Sequence, residues 1–360
     1  MKIPQIAASR RALKISVWVA AASAALPAIG FLAQADKLEA ALQTADAAGA
    51  AATRTLIFNA RLDAAVCGIF MVLVLLELRR PLRKGKSEPK LRRNVRNMAV
   101  AGTSAVAVML TGTPVTTPLT KWVQRRNWGL VKWLQLPLWL EVPIALILLD
   151  YLLYLWHVAF HKVPFLWRFH QVHHVDLDMD ASTAIRFHFG EMALSTALQT
   201  FQILTIGVSP LTFSIWNTWL VSEVMFQHSN VELPFGLERW LCKIIVTPRM
   251  HGIHHSLVPE ELSSNWSSGL TLWDRLHGTL RLNVPQNHLT LGLAAYPDAK
   301  EVTYPKLMEM PFDEQQRYPP WVRPDGTTPH RDEALPGTST TLVREAATDL
   351  PAGSSGTRRV

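Results

Sequence analysis

The sequence predicts an all-α protein: a multi-span membrane helical bundle with a cytoplasmic helical cap that carries clustered histidines. Three observations predict it. The 360-residue chain is 49% apolar, and the apolar residues fall in long runs over its first three quarters, leaving a polar final quarter. Positive charge (net +8, pI about 9.7) gathers beside those runs, as in RRPLRKGKSEPKLRRNVR from Arg79 to Arg96. Histidines gather at the ends of the runs. Short basic loops beside apolar spans stay in the cytoplasm. No nucleic-acid motif accompanies the charge, so the basic balance reads as topological and no nucleic acid is expected as a partner.

The elements follow in order. Residues 1–35 read as an N-terminal transmembrane anchor or signal-like segment. Arg10, Arg11 and Lys14 precede an apolar run from Ile15 to Leu32, and Ala33-Gln34-Ala35 fits a small-x-small cleavage site. The run is longer than a signal needs, which favours an uncleaved anchor. Residues 36–135 hold a non-cytoplasmic stretch to Arg61, a second span from Leu62 to Leu78 and the basic loop to Arg96. They end with a weaker segment, Met98 to Pro118, that spans or dips in, and with Trp122, Trp128 and Trp133, an interfacial belt.

Residues 136–282 open on a strong span, Leu136 to Trp156. A further apolar stretch, Met192 to Met225, is broken at Ser209-Pro210 and suits two short spans or a re-entrant hairpin. A hairpin returns to the side where it began, so the clustered histidines share the cytoplasmic face. Residues 283–360 are a polar tail, expected to be disordered beyond about Arg323. Cys67 and Cys242 imply no disulfide framework and read as packing residues. The high alanine content leans toward a bacterial inner membrane over endoplasmic reticulum.

The histidines carry the chemistry. His157 and His161 form H-x-x-x-H, and H-x-x-H-H occurs twice, as His170, His173, His174 and as His251, His254, His255. On a helix, positions i, i+3 and i+4 share a face. Eight of the thirteen histidines lie in these three boxes. Neutral imidazole binds Zn, Cu, Fe and Ni. One ion takes roughly four to six ligands, so eight imidazoles suit two ions close together, a dimetal site. A single histidine at a membrane edge is usually interfacial, but ionisable clusters there default to function. The run DLDMD (Asp176, Asp178, Asp180) reads as a solvated loop rather than a metal site.

The stretches DYLLYLWHVAFH, LWRFHQVHH, IRFHFGE, FQHSNVELPFG, TPRMHGIHHS and LWDRLHGT, between Asp150 and Thr279, resemble the fatty acid hydroxylase and sterol desaturase superfamily, integral membrane enzymes with a histidine-rich di-iron centre. Val158 stands where the family's first box usually has Arg, Phe189 where Pro follows its second, and His277 where its last motif has Phe. None of these removes a ligand. The resemblance adds His188 and His228, giving ten candidates with His157, His161, His170, His173, His174, His251, His254 and His255. Imidazole ligands usually donate their other N–H to a carboxylate or carbonyl. Asp150, Glu191 and Glu223 are candidates for that supporting role, and Asn230 and Asn265 for holding a bridging water.

The resemblance implies an O2-dependent oxidoreductase with two iron ions that hydroxylates or desaturates a C–H bond of a lipid: a sterol, a fatty acid or a related lipid. Two electrons per turnover are needed. No dinucleotide, flavin or fused cytochrome b5 motif is present, so a separate ferredoxin, cytochrome b5 or reductase is the expected external electron donor. The basic loop Arg79–Arg96 offers a docking surface for an acidic donor, although topological charge alone accounts for it. Two other classes remain open. A zinc-dependent membrane hydrolase would use Glu191 as base. A non-enzymatic metal- or haem-binding membrane protein would spread its ligands differently.

Overall fold

The computed structural model describes residues 25, 27–42, 47–85, 87–313 and 319–331. The first predicted span lies largely outside these residues, as does the end of the tail. Among the described residues the chain is helical, with three isolated β-bridges. Two helices among the described residues are long and apolar enough to cross a membrane: Lys90–Trp133, mean hydropathy 1.5, and Leu138–Lys162, mean hydropathy 1.8.

Helix α1 (Ala47–Arg79) contains the predicted second span and ends two residues before Pro81, which cannot continue it. Helix α2 (Lys90–Ala107) starts behind an extended Pro89 and passes through a π turn, Val108–Gly112, into α3 (Thr113–Arg126). Asn127, left-handed at φ 47°, stops α3. Helix α4 (Leu138–Lys162) stops at an extended Val163, the conformation that a following proline imposes. Pro164 then occupies the first position of α5 (Pro164–His174), where its missing N–H costs nothing.

Helix α6 (Phe189–Gln202) and a π turn, Ile203–Gly207, run away from the histidines. Helix α7 (Pro210–His228), capped by Ser209 Oγ accepting from the Thr212 N–H, runs back to them. The turn between them is pinned by glycine. A Cβ on Gly129 (φ 101°) would sit 2.3 Å from the Gly207 Cα, so the chain after α3 can approach this turn only without side chains.

Val123, Leu149, Ile203 and Trp216 pack into one core shared by α3, α4, the second π turn and α7. A second core joins Val100, Trp167, Val172 and Val175 to Leu293, Tyr296, Val302, Leu307 and Met310. Polar composition made the stretch from Asn283 read as a tail. Leu293, Val302, Leu307 and Met310 of that stretch are nonetheless buried, each contributing about 1.5–3 kcal/mol, and Arg331 pairs with Glu261.

Two expectations are corrected. The basic stretch is not wholly a free loop: Lys90–Arg96 form the first turns of α2, and Arg93 and Arg96 are buried. Asp176 and Asp180 of DLDMD are buried as well, facing those arginines. Arg93 Nε is 2.9 Å from Asp176 Oδ1, Arg93 Nη1 is 2.7 Å from Asp180 Oδ2, and Arg186 Nη1 is 3.1 Å from Asp176 Oδ1. Arg96 pairs with Glu88. Burial acts to raise the Asp176 carboxyl, but Arg93 and Arg186 outweigh it and hold it below the usual range. Two runs of opposite charge, about eighty residues apart, neutralise each other; either run alone reads as solvated. The docking surface expected on this loop is reduced accordingly.

Candidate metal centre

The last turns of α4 bring His157 and His161 to the end of the bundle. The immediate restart at Pro164 turns α5 beside them with His170, His173 and His174. Helix α7 delivers His228 as its last residue. Helix α8 (Pro248–His254), opened by an extended Thr247 and a first-position proline, adds His251 and His254, with His255 following.

Nine imidazoles meet in two groups. His157, His161, His170, His174 and His254 form one, and His173, His228, His251 and His255 the other; within each group the candidate ligand atoms lie within 4.8 Å of one another. Helical spacing explains the doubled H-x-x-H-H. The i, i+4 pair His170 and His174 serves the first group, while His173 between them serves the second. The pair His251 and His255 serves the second, while His254 serves the first. The His174 and His255 rings stack at 4.3 Å where the groups meet.

Backbone carbonyls orient the rings. His157 Nδ1 is 2.7 Å from the Trp266 carbonyl, His254 Nδ1 2.8 Å from that of Ser264 and His228 Nδ1 2.7 Å from that of Val224. A carbonyl only accepts, so these Nδ1 atoms carry the protons and the Nε2 lone pairs face inward. His170 Nδ1 donates to Glu191 Oε1 at 2.8 Å. His228 Nε2 lies 2.9 Å from His173 Nε2 and 3.0 Å from His251 Nε2. Nε2 of His161 and of His254 is buried with no hydrogen-bond partner.

Buried acceptors left unpaired cost about 1–3 kcal/mol each, and cations among convergent lone pairs remove that cost. The residues therefore fit two metal ions. The donors are all nitrogen, without thiolate, a set suited to Zn, Cu, Fe or Ni. Burial, reinforced by neighbouring imidazoles, holds His173, His174, His251 and His255 well below the ordinary imidazole range. Burial takes His254 down to about 3. These rings are neutral at pH 7, the form that ligates.

The structure does not bring His188 to either group. Its Nδ1 accepts from the Gly190 N–H at 3.0 Å, capping α6, and its Nε2 is 3.2 Å from the Met308 carbonyl. Of the five supporting candidates, Glu191 reaches a clustered imidazole. Asp150 instead accepts from the Leu270 N–H at 2.9 Å and the Trp273 indole N–H at 2.7 Å. Asn230 exchanges two bonds with the Arg83 backbone. Asn265, left-handed at φ 51°, accepts from the Arg281 N–H and donates to the Met250 and Arg281 carbonyls. Glu223 is buried, its Oε1 without a partner. Sequence reading missed the carbonyls of Trp266, Ser264 and Val224, since a carbonyl has no side-chain signature.

An apolar cavity of about 470 Å³ adjoins the centre. It is bounded by α2, α4, α6 and α7. His157, His170, His173, His228 and His251 line it, along with Leu153, Met192 and Leu220. Gln202 and Trp216 also line it, and Gln202 lies eleven residues along α6 from Glu191, about 16 Å at 1.5 Å per residue. The cavity thus runs from the imidazoles along the bundle.

Residues 142–279 match the family described as fatty acid hydroxylase. An ornithine lipid hydroxylase of Rhizobium tropici is 32% identical over 146 residues, covering 40% of this chain and 43% of that protein. Cholesterol 25-hydroxylase of Mus musculus is 31% identical over 147 residues, 39% of this chain and 47% of that one. Alkylglycerol monooxygenase of Xenopus tropicalis is 27% identical over 148 residues, 41% of this chain and 31% of that one. The chain thus spans about half the length, or less, of these relatives. No solved structure matches significantly.

Proposed function

We propose that the chain, whose residues 142–279 match the family described as fatty acid hydroxylase, is a membrane-bound, O2-dependent di-iron enzyme that hydroxylates a C–H bond of a lipid. The observation that carries this reading is the placement of nine imidazoles, in two groups, at the inner end of an apolar cavity. Lipid hydroxylase or monooxygenase names on the three relatives support hydroxylation over desaturation.

Two irons would supply O2 activation and the removal of hydrogen from an unactivated carbon. The nine imidazoles would hold them, and Glu191 would keep His170 turned inward by retaining the Nδ1 proton. Leu153, Met192, Leu220 and Trp216 would grip the lipid and exclude water from the reacting carbon. The four Nδ1 hydrogen bonds fix the rings before substrate arrives, so little reorganisation is needed at reaction.

The centre lies at the end of α4, a candidate span, so the imidazoles sit at a membrane face. Basic flanks beside the apolar runs support a cytoplasmic side for that face in a multi-pass protein. A separate donor, a ferredoxin, cytochrome b5 or reductase, would supply the electrons. In the zinc hydrolase reading Glu191 would have to act as base through Oε2 alone, because its Oε1 already accepts from His170.

The test is oxygen tracing. Purified protein, reconstituted with iron and a reductant in lipid nanodiscs, is exposed to isotopically heavy O2 and the lipids are extracted. Heavy oxygen in a new lipid hydroxyl is expected. Product oxygen drawn from water would overturn the oxygenase reading.

A further inference from the structure

Two short segments outside the candidate spans lie side by side next to the last histidine box. One runs from Phe235 through the helix Phe235–Leu241 to Ile244, and the other is the helix Leu272–Leu276. The Ile245–Leu270 bridge and the Thr271 N–H bond to the Ile244 carbonyl, 3.0 Å, join them, and Arg275 Nη2 donates to the Cys242 carbonyl at 3.1 Å. Together they expose Phe235 (73%), Leu237, Trp240 (57%), Ile244, Leu272 and Leu276 (66%). Scattered exposed apolar residues need no explanation, but six on two adjoining segments make a patch.

The charges there are one-sided. Arg239, Lys243 and Arg275 are exposed. The two acids of these segments are turned inward: Glu238 is buried and pairs with Arg249 at 3.0 Å, and Asp274 is buried. Bulky apolar side chains with a basic rim are the composition of surfaces that lie in the headgroup region of a bilayer.

The patch also sits at the right height. Trp273 and His277 pack on α4, with ring centroids 4.7 Å from Tyr151 to Trp273 and 4.9 Å from Tyr154 to His277. A hydrocarbon core about 30 Å thick is crossed by roughly 20 helical residues. Counted from Leu138 at about 1.5 Å per residue, Tyr151 and Tyr154 lie about 20 and 24 Å along α4, roughly 6–10 Å inside the histidine-side boundary of that core, a depth that interfacial apolar faces reach.

We propose that this lobe is a second membrane attachment: the Phe235–Ile244 and Leu272–Leu276 face rests in the bilayer interface and is held by anionic phospholipid headgroups. The helix of the third histidine box, Pro248–His254, lies between the two attached segments in sequence, so the interface supports a box that serves both histidine groups.

The test uses full-length protein with Cys67 and Cys242 replaced by serine. Phe235→Cys, Trp240→Cys, Leu276→Cys and, as an exposed control, Lys300→Cys are spin-labelled in nanodiscs. Discs of zwitterionic lipid are compared with discs containing phosphatidylglycerol. The first three labels are expected to lose collision with a water-soluble nickel chelate and gain collision with oxygen, more so with phosphatidylglycerol, while the control stays accessible. An Arg239→Gln, Lys243→Gln, Arg275→Gln variant should lose the phosphatidylglycerol increment. Labels at Phe235, Trp240 and Leu276 as accessible to nickel as the control would overturn the proposal. So would labels protected only after an acidic electron-transfer protein is added, which would assign the face to that partner.

Discussion

Replacing Glu191 by Gln should weaken metal binding at one histidine group and spare the other. Glu191 Oε1 accepts from His170 Nδ1 at 2.8 Å, with the two side chains 5% and 3% exposed, so solvent does not screen the bond. Glutamine keeps the volume and an acceptor oxygen but removes the charge that makes His170 a stronger donor to metal. Loss of such a partner typically costs about 10–100-fold in metal affinity, or about 1.4–2.7 kcal/mol. His170 belongs to the five-histidine group, whereas the four-histidine group is oriented through His228 and the Val224 carbonyl. A chelator competition on detergent-solubilised protein should therefore show two metal-release steps, one weakened by this factor in Glu191→Gln and one unchanged. Equal weakening of both steps, or of neither, would refute the assignment of Glu191 to a single group.

Four further outcomes are expected. Asp176→Ala leaves the buried Arg93 and Arg186 without their shared partner and should destabilise the protein by about 3–5 kcal/mol, read as a lower Tm in detergent. Gly269→Ala would place a Cβ 2.3 Å from Asp150 Oδ1 and should loosen the loop that holds Trp273, whereas Gly68→Ala, inside α1 with nothing within 4 Å, should not lower Tm and should raise it slightly. His254 has its folded pKa lowered from 6.5 to about 3, so its contribution to apoprotein stability is intact above pH 6.5 and is lost as pH falls through that window. That group alone contributes a slope of about 1.4 kcal/mol per pH unit, and the difference between wild type and His254→Gln in urea unfolding at stepped pH separates it from the other lowered imidazoles. Leu153→Trp, which enlarges a side chain on the cavity wall, should reduce lipid turnover without changing bound metal, as parallel product and metal assays would report.

The histidine site was legible because ligand spacing on a helix is local. His170 and His174 share a group since 3.6 residues make a turn, and no tertiary information is needed to see it. His228 was legible only through its family motif, since a lone histidine at a helix end carries no pattern. His188 shares that motif context, yet it caps α6: its neighbour Gly190 presents a free N–H that an imidazole nitrogen can accept. The acids misled for a different reason. Asp150, Asp176 and Asp180 are buried beside partners far away in sequence, Leu270 and Trp273 for the first and Arg93 for the other two. Only the folded chain shows such pairings. Apolar runs located the helices of the bundle, but the π turns at Val108–Gly112 and Ile203–Gly207 leave no apolar period to read.

The most direct test of the central claim is metal content after anaerobic reconstitution of the purified protein, wild type beside a His173→Ala, His254→Ala double variant that takes one imidazole from each group. The account predicts two irons per chain in the wild type, one for each histidine group, and their loss in the variant. No stoichiometric metal, or zinc retained with iron in excess, would contradict it.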